Sequence, residues 1–165
     1  MRAVVQRVTR AAVAVDGAPA GAIDRGLLAY VGAAPGDGTG EVEWLARKLA
    51  ELRIFSDDEG RMNRSVEDAG GSVLLVSQFT LYADTRKGRR PSFFDAAPPG
   101  VAEPLIDAVA GALRARGLRV ESGRFGAHML VDAENDGPVT IILDSADRER
   151  PRRSAHTGEP SAGDA

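Results

Sequence analysis

No cysteine occurs among the 165 residues. That absence excludes disulfides, thiolate metal sites and a cysteine nucleophile, and it points to the cytoplasm as the compartment. Histidine is nearly as scarce, with two in the chain, so a histidine-built metal site or a Ser-His-Asp triad has little to draw on. No apolar run approaches the roughly 18–20 residues of a membrane span. The start, "MRAVVQRVTR", is interrupted by Arg7 and Arg10 and lacks the layout of a signal peptide. A P-loop is missing, and so is a strand-linked dinucleotide fingerprint. "APGDGTG" reads as turns, and the acids at 57–59 lack the spacing of an EF-hand. No cofactor and no metal are expected. A net charge of −3 argues against general DNA affinity, and no membrane partner is indicated.

The 43% hydrophobic residues are ordinary for one globular domain. "RAVVQRV" and "AAVAV" read as strands from their β-branched content, followed by a turn from Asp16-Gly17 to Gly21. "GLLAYVGA" and "SVLLVSQF" are continuous apolar runs, the pattern of buried strands. Val42, Leu45, Leu49 and Leu52 recur at helical spacing, so about 40–53 is an amphipathic helix with Thr39 as its cap. Trp44 reads as a packing residue. Val101, Leu105, Ile106, Val109 and Leu113 mark a second helix, ended by Gly117. Strands follow at about 118–123, 128–134 and 139–143. The fold class is α/β, in the order ββ-βα-βα-βββ. Residues 145–165, "SADRERPRRSAHTGEPSAGDA", hold no Val, Leu, Ile or Phe and are expected to be a disordered tail. The domain is then 1–144. His156 lies in that tail, and "RERPRR" there reads as a solvated charged segment.

Two loops are long and polar, 55–71 and 80–100. The second gathers Arg86, Lys87, Arg89 and Arg90. A local basic cluster on an acidic protein suits a phosphate-bearing partner, and it is equally the pattern of a solvated loop. "SQFTLYADT" ends a buried strand with Ser77, Gln78 and Thr80. Polar groups there are either hydrogen-bonded strand ends or functional. The stretch is no G-x-S-x-G elbow. A hydrolase built on it would need a proton acceptor from elsewhere and backbone donors for its oxyanion. His128, in "GAHMLV", alternates with apolar residues and reads as a core or edge histidine.

"NDGPVT", 135–140, raises a different question. Asn135-Asp136-Gly137 is turn chemistry, but Pro138 removes a backbone donor at the mouth of a strand. This stretch, with "MRAVVQRVTRAAVAVDG" and "RIFSDDEGRMNRSVEDAGGSVLLVSQFTLYADTRKGRRPSFFDAA", resembles the bacterial and eukaryotic D-aminoacyl-tRNA deacylase family. The likeness runs over about 1–144. Ser77-Gln78-x-x-Leu81 and Gly137-Pro138-Val139-Thr140 fall in register with the family's two marker motifs.

The resemblance implies a homodimer of β/β/α layers with active sites at the subunit interface. It implies hydrolysis of the ester joining a D-amino acid to the 3′ end of tRNA. In the family the Gly-Pro bond is cis and reaches the neighbouring subunit's site, where its carbonyls crowd the α-carbon and exclude an L side chain. Glycyl-tRNA escapes that exclusion. By position Ser77, Gln78 and Phe79 line the ester site. Thr80 carries the hydroxyl proposed in the family as a nucleophile, and with no base beside it a positioning role is expected. Gln6 and Arg7 match the family's "QRV", with Arg7 bracing the Gly-Pro carbonyls. Phe125 and Met129 are candidates to contact the terminal adenine, and Arg86, Lys87, Arg89 and Arg90 to contact tRNA phosphates. Tyr82, where many members have a small residue, either narrows the entrance or covers the loop. The alternative is a non-catalytic RNA-end or protein-interaction module on the same fold.

Overall fold

In the computed structural model, which describes residues 1–149, the first two apolar segments are one strand, β1 (Arg2–Val15). The expected break at Thr9-Arg10 is an exposed stretch within it, and β1 continues through it. β2 (Ala18–Ile23) occupies the segment expected as turn and pairs antiparallel with the second half of β1. β3 (Gly26–Gly32) pairs antiparallel with the first half.

Helix α1 (Thr39–Glu51) starts at its expected cap, so the true cap lies one residue earlier. Gly38 is the N-cap, and its N–H donates to Glu41 Oε2 at 2.9 Å, leaving Thr39 as the first helical residue. Val42, Trp44, Leu45 and Leu49 are buried, as their spacing requires. The polar segment after it holds a short hairpin, β4 (Phe55–Ser56) and β5 (Met62–Arg64). Asp57 closes that turn by accepting the N–H groups of Glu59 and Arg61, both at 2.9 Å. Those bonds, chiefly the one from Arg61, hold its carboxyl below the usual range. β6 (Ser72–Ser77) then pairs parallel with β3. Helix α2 (Pro99–Ala115) leads to β7 (Val120–Ser122), parallel to β6, with Gly117 at φ +88° ending the helix turn.

Layering explains why β3 and β6 read as unbroken apolar runs. Leu27, Ala29, Val31, Val73 and Leu75 face a core shared with both helices. Leu28, Leu74 and Val76 face a second core with Val8, Ala11, Val13 and Ile23. The second half of β1 and β2 therefore cover the face opposite the helices, giving β/β/α layers. β2 passes close enough to β7 that a Cβ on Gly21 would lie 2.9 Å from the Ser122 carbonyl.

β8 (Met129–Asp144) is one 16-residue strand where two were expected. It pairs antiparallel with β1 on the edge opposite β2 and β3. The register passes from Gln6↔Thr140 to Val8↔Asn135, so Asp136–Val139 leave the ladder opposite Arg7. That excursion accounts for the proline: Pro138 sits where β8 has left its partner and no donor is needed. Asn135 closes its base, accepting the Val139 N–H at 3.0 Å and donating to Thr140 Oγ1 at 2.9 Å. The Gly137-Pro138 peptide is cis, and Gly137 has φ +126°. A Cβ there would meet Val139 Cγ2 at 2.7 Å, so the position requires glycine.

Ser145–Glu149, assigned above to the tail, form a 3-10 turn in which Ser145 is buried and its N–H donates to the Met1 carbonyl at 2.9 Å. The ordered chain thus runs past 144. His156 and most of the charged "RERPRR" stretch lie outside the described residues. Among those described, no helix is long and apolar enough to cross a membrane.

Candidate active site

β6 delivers Ser77 and Gln78 to the rim of the sheet. The Gln78 N–H makes a last bond to the Val31 carbonyl at 2.8 Å, and the chain then turns into a 3-10 segment, Phe79–Tyr82. Gly32 permits this turn, since a Cβ there would lie 2.8 Å from the Gln78 carbonyl. Ser77, Gln78 and Phe79 open onto a pocket of ≈ 610 Å³. Phe125 and Met129 also line it, as do Ala102 and Ile106 of α2. Phe93 packs edge-on against Phe79, with centroids 5.0 Å apart.

Among the described residues, no titratable side chain lines this pocket. Its polar equipment is the Ser77 hydroxyl, the Gln78 amide and the backbone. Such a site can bind an apolar ring and donate hydrogen bonds to a developing oxyanion, but it holds no protein base. Thr80 is exposed and outside the lining, and its hydroxyl accepts a hydrogen bond from the Gln78 amide. His128 is exposed between the lining residues Ala127 and Met129, at an edge and not in the core. Among the described residues no three His, Asp or Glu side chains gather as metal ligands.

The Gly137-Pro138 excursion does not line this chain's own pocket. It is exposed on the outer strand, braced from below by Arg7. The Arg7 guanidinium is nearly buried. It donates from Nη1 to the Ile54 carbonyl at 2.5 Å and from Nε to the Asp136 carbonyl at 3.2 Å. Asp136 Oδ2 pairs with Nε at 3.0 Å. The brace therefore acts on the residue before the Gly-Pro step and not on the carbonyls of Gly137 or Pro138. Gln6 Nε2 reaches Thr140 Oγ1 at 3.3 Å, on the far side of the excursion.

The basic loop is pinched at its base by paired backbone bonds between Asp84 and Ser92, 2.8 and 3.0 Å. Arg86 is spent on Asp84, with Nη2 2.7 Å from Oδ2, and this pairing holds the Asp84 carboxyl down at about 2. Lys87, Arg89 and Arg90 are exposed and make no ion pair among the described residues. Tyr82 is buried under the Arg2 guanidinium, 4.6 Å from its ring centroid, and is not among the residues that line the pocket. Burial raises its hydroxyl pKa. Phe93, Ala102, Ile106 and Asn135 were missed as site residues; only Asn135 left a signal, in the turn chemistry before Gly-Pro.

The model of the family described as D-Tyr-tRNA(Tyr) deacylase matches residues 4–144, nearly the whole described chain.

The chain belongs to that family.

A relative from Roseiflexus castenholzii, named D-aminoacyl-tRNA deacylase, is 60% identical over 152 residues, 92% of this chain and 97% of its own. A solved structure titled c-Myc DNA Unwinding Element Binding Protein superposes with TM-score 0.82 at 43% identity, covering 88% of this chain and 99% of that one. A second, titled as a probable eukaryotic D-amino acid tRNA deacylase, has TM-score 0.74 at 21% identity over 86% of this chain and 97% of its own, a likeness of fold.

Proposed function

We propose that this protein hydrolyses the ester between a D-amino acid and the 3′-terminal adenosine of tRNA, releasing both, as a homodimer. The observation that carries the reading is the pocket itself: aromatic and apolar walls, a Ser77-Gln78-Phe79 rim and no titratable side chain. The adenine lies against Phe125 and Met129. The ester carbonyl faces the Ser77–Phe79 rim, whose donors stabilise the oxyanion formed when water adds. The C–O bond to the ribose then breaks and its oxygen takes up a proton. With no protein base at hand, the neighbouring ribose hydroxyl assists proton transfer, and the protein supplies orientation. Thr80, outside the lining, positions the Gln78 amide.

The chirality filter comes from the second subunit. β8 presents a long outer edge with Leu130 and Ile142 exposed at 68% and 76%, a surface suited to a second copy of the chain. Gly137 and Pro138, exposed on the same strand, reach into the partner's pocket and set their carbonyls against the α-carbon. An L side chain collides there, whereas a D side chain points outward. Glycine carries no Cβ, so glycyl-tRNA is cleaved as well. The loop cations Lys87, Arg89 and Arg90 hold tRNA phosphates. A net charge of −3 with one local basic loop suits a single nucleic-acid end better than duplex DNA.

Incubation with D-Tyr-tRNA and L-Tyr-tRNA tests the reading. Loss of the D ester with the L ester intact is expected; survival of both leaves a binding module.

A further inference from the structure

Phe94 is 92% exposed, the most open of the large apolar side chains among the described residues. Its neighbour Phe93 turns inward onto Phe79 and lines the pocket. Of these consecutive aromatics one lines the pocket and the other stands open, with no ring partner among the described residues.

The surroundings say what kind of group suits it. Phe94 lies two residues beyond the loop pinched at Asp84 and Ser92, which carries the exposed Lys87, Arg89 and Arg90, unpaired among the described residues. The adjacent acid, Asp95, acts on Arg86 and Arg2. An exposed apolar ring that follows, in sequence, both a run of exposed cations and the pocket-lining Phe93 matches a strand that alternates π faces with phosphates. Single-stranded RNA is read in this way, by stacking on aromatics with cations along the backbone.

We propose that Phe94 stacks on a nucleobase of the single-stranded tRNA 3′ end, upstream of the terminal adenosine, while Lys87, Arg89 and Arg90 hold the adjoining phosphates. The inference rests on the function proposed above and adds a subsite to it.

The test compares two substrates, D-Tyr-tRNA and 3′-O-(D-tyrosyl)adenosine, the second lacking every upstream base. Loss of one stacked base corresponds to about 5- to 150-fold in binding. Phe94→Ala should raise KM for D-Tyr-tRNA by about 5-fold or more, Phe94→Trp should restore it, and Phe94→Leu should not. The loss should be confined to the tRNA substrate. No change with tRNA, an equal loss on both substrates, or rescue by leucine as complete as by tryptophan would overturn the proposal. A shift of Phe94→Ala to a different oligomeric state in light scattering would overturn it too, by assigning the ring to a subunit contact. Titration with uncharged RNA ending in CCA separates this inference from the deacylase reading. If the wild type cleaves neither ester yet Phe94→Ala binds that RNA about 5-fold more weakly, the deacylase reading fails and the stacking subsite stands.

Discussion

Replacing Arg7 by alanine should weaken both the fold and its stereochemical discrimination. The guanidinium satisfies the Ile54 carbonyl at 2.5 Å and the Asp136 carbonyl at 3.2 Å from an almost buried position. Each carbonyl left without a partner costs about 1–3 kcal/mol. The Asp136 carboxylate is about half exposed, so its lost ion pair adds at most about 1 kcal/mol. The expected destabilisation is about 2–7 kcal/mol, read from the denaturant midpoint at constant slope. Arg7→Lys keeps the charge, but a single ammonium cannot span both carbonyls, so it should recover only part. The same variants should lose D-over-L discrimination, because the Asp136–Val139 excursion is no longer held opposite position 7. A loss under about 1 kcal/mol, or full selectivity in a folded Arg7→Ala protein, would refute the brace.

Thr80→Ala should keep substantial kcat, since an obligatory nucleophile would lose orders of magnitude; single-turnover deacylation decides, and a fall to background with intact folding and binding restores the nucleophile. Substituting Lys87, Arg89 and Arg90 together should flatten the salt dependence of tRNA binding by roughly 0.7–0.9 in slope per lost contact, with Arg86 adding less because Asp84 holds it; an unchanged slope makes the loop merely solvated. Asp57, Asp68 and Asp84 have folded carboxyls below the ordinary value of 3.8, Asp84 at about 2. Their stabilisation is fully present above that value and is lost as pH falls through the folded values, so thermal melts should hold steady from about pH 7 to 5 and drop below about pH 4; a midpoint rising on acidification would contradict those bonds.

The helices were legible because α1 and α2 bury one stripe each, and β3 and β6 because both their faces are covered. β1 was misread at Thr9-Arg10, where two exposed residues between apolar alternations look like a turn; only pairing with β8 carries the strand through. β2, "APAGAI", has the small residues of a turn and becomes a strand because β1 lies beside it. "NDGPVT" has the local chemistry of a hairpin, yet the chain continues in the same direction, since Asn135 bridges the excursion to Thr140 and Val139. At the site, Ser77, Gln78, Phe79, Phe125 and Met129 were legible through family motifs and do share one pocket. Ala102 and Ile106 were not, because α2 brings them there and apolar residues on a helix read only as core; Phe93 was not, because only the folded loop sets it against Phe79. Arg7 was found, but the carbonyl it holds is decided by β-strand register, which sequence does not display.

Exclusion of L residues by the exposed backbone of Gly137 and Pro138 is the central proposal. Deacylation of D-Ala-, Gly- and L-Ala-tRNA, measured side by side at equal enzyme, tests it, because the three differ only in where a Cβ stands. Cleavage of the D-Ala and Gly esters with L-Ala-tRNA untouched is the predicted result. Glycyl-tRNA as resistant as L-Ala-tRNA would mean that a D side chain is positively recognised, and would contradict exclusion by the backbone.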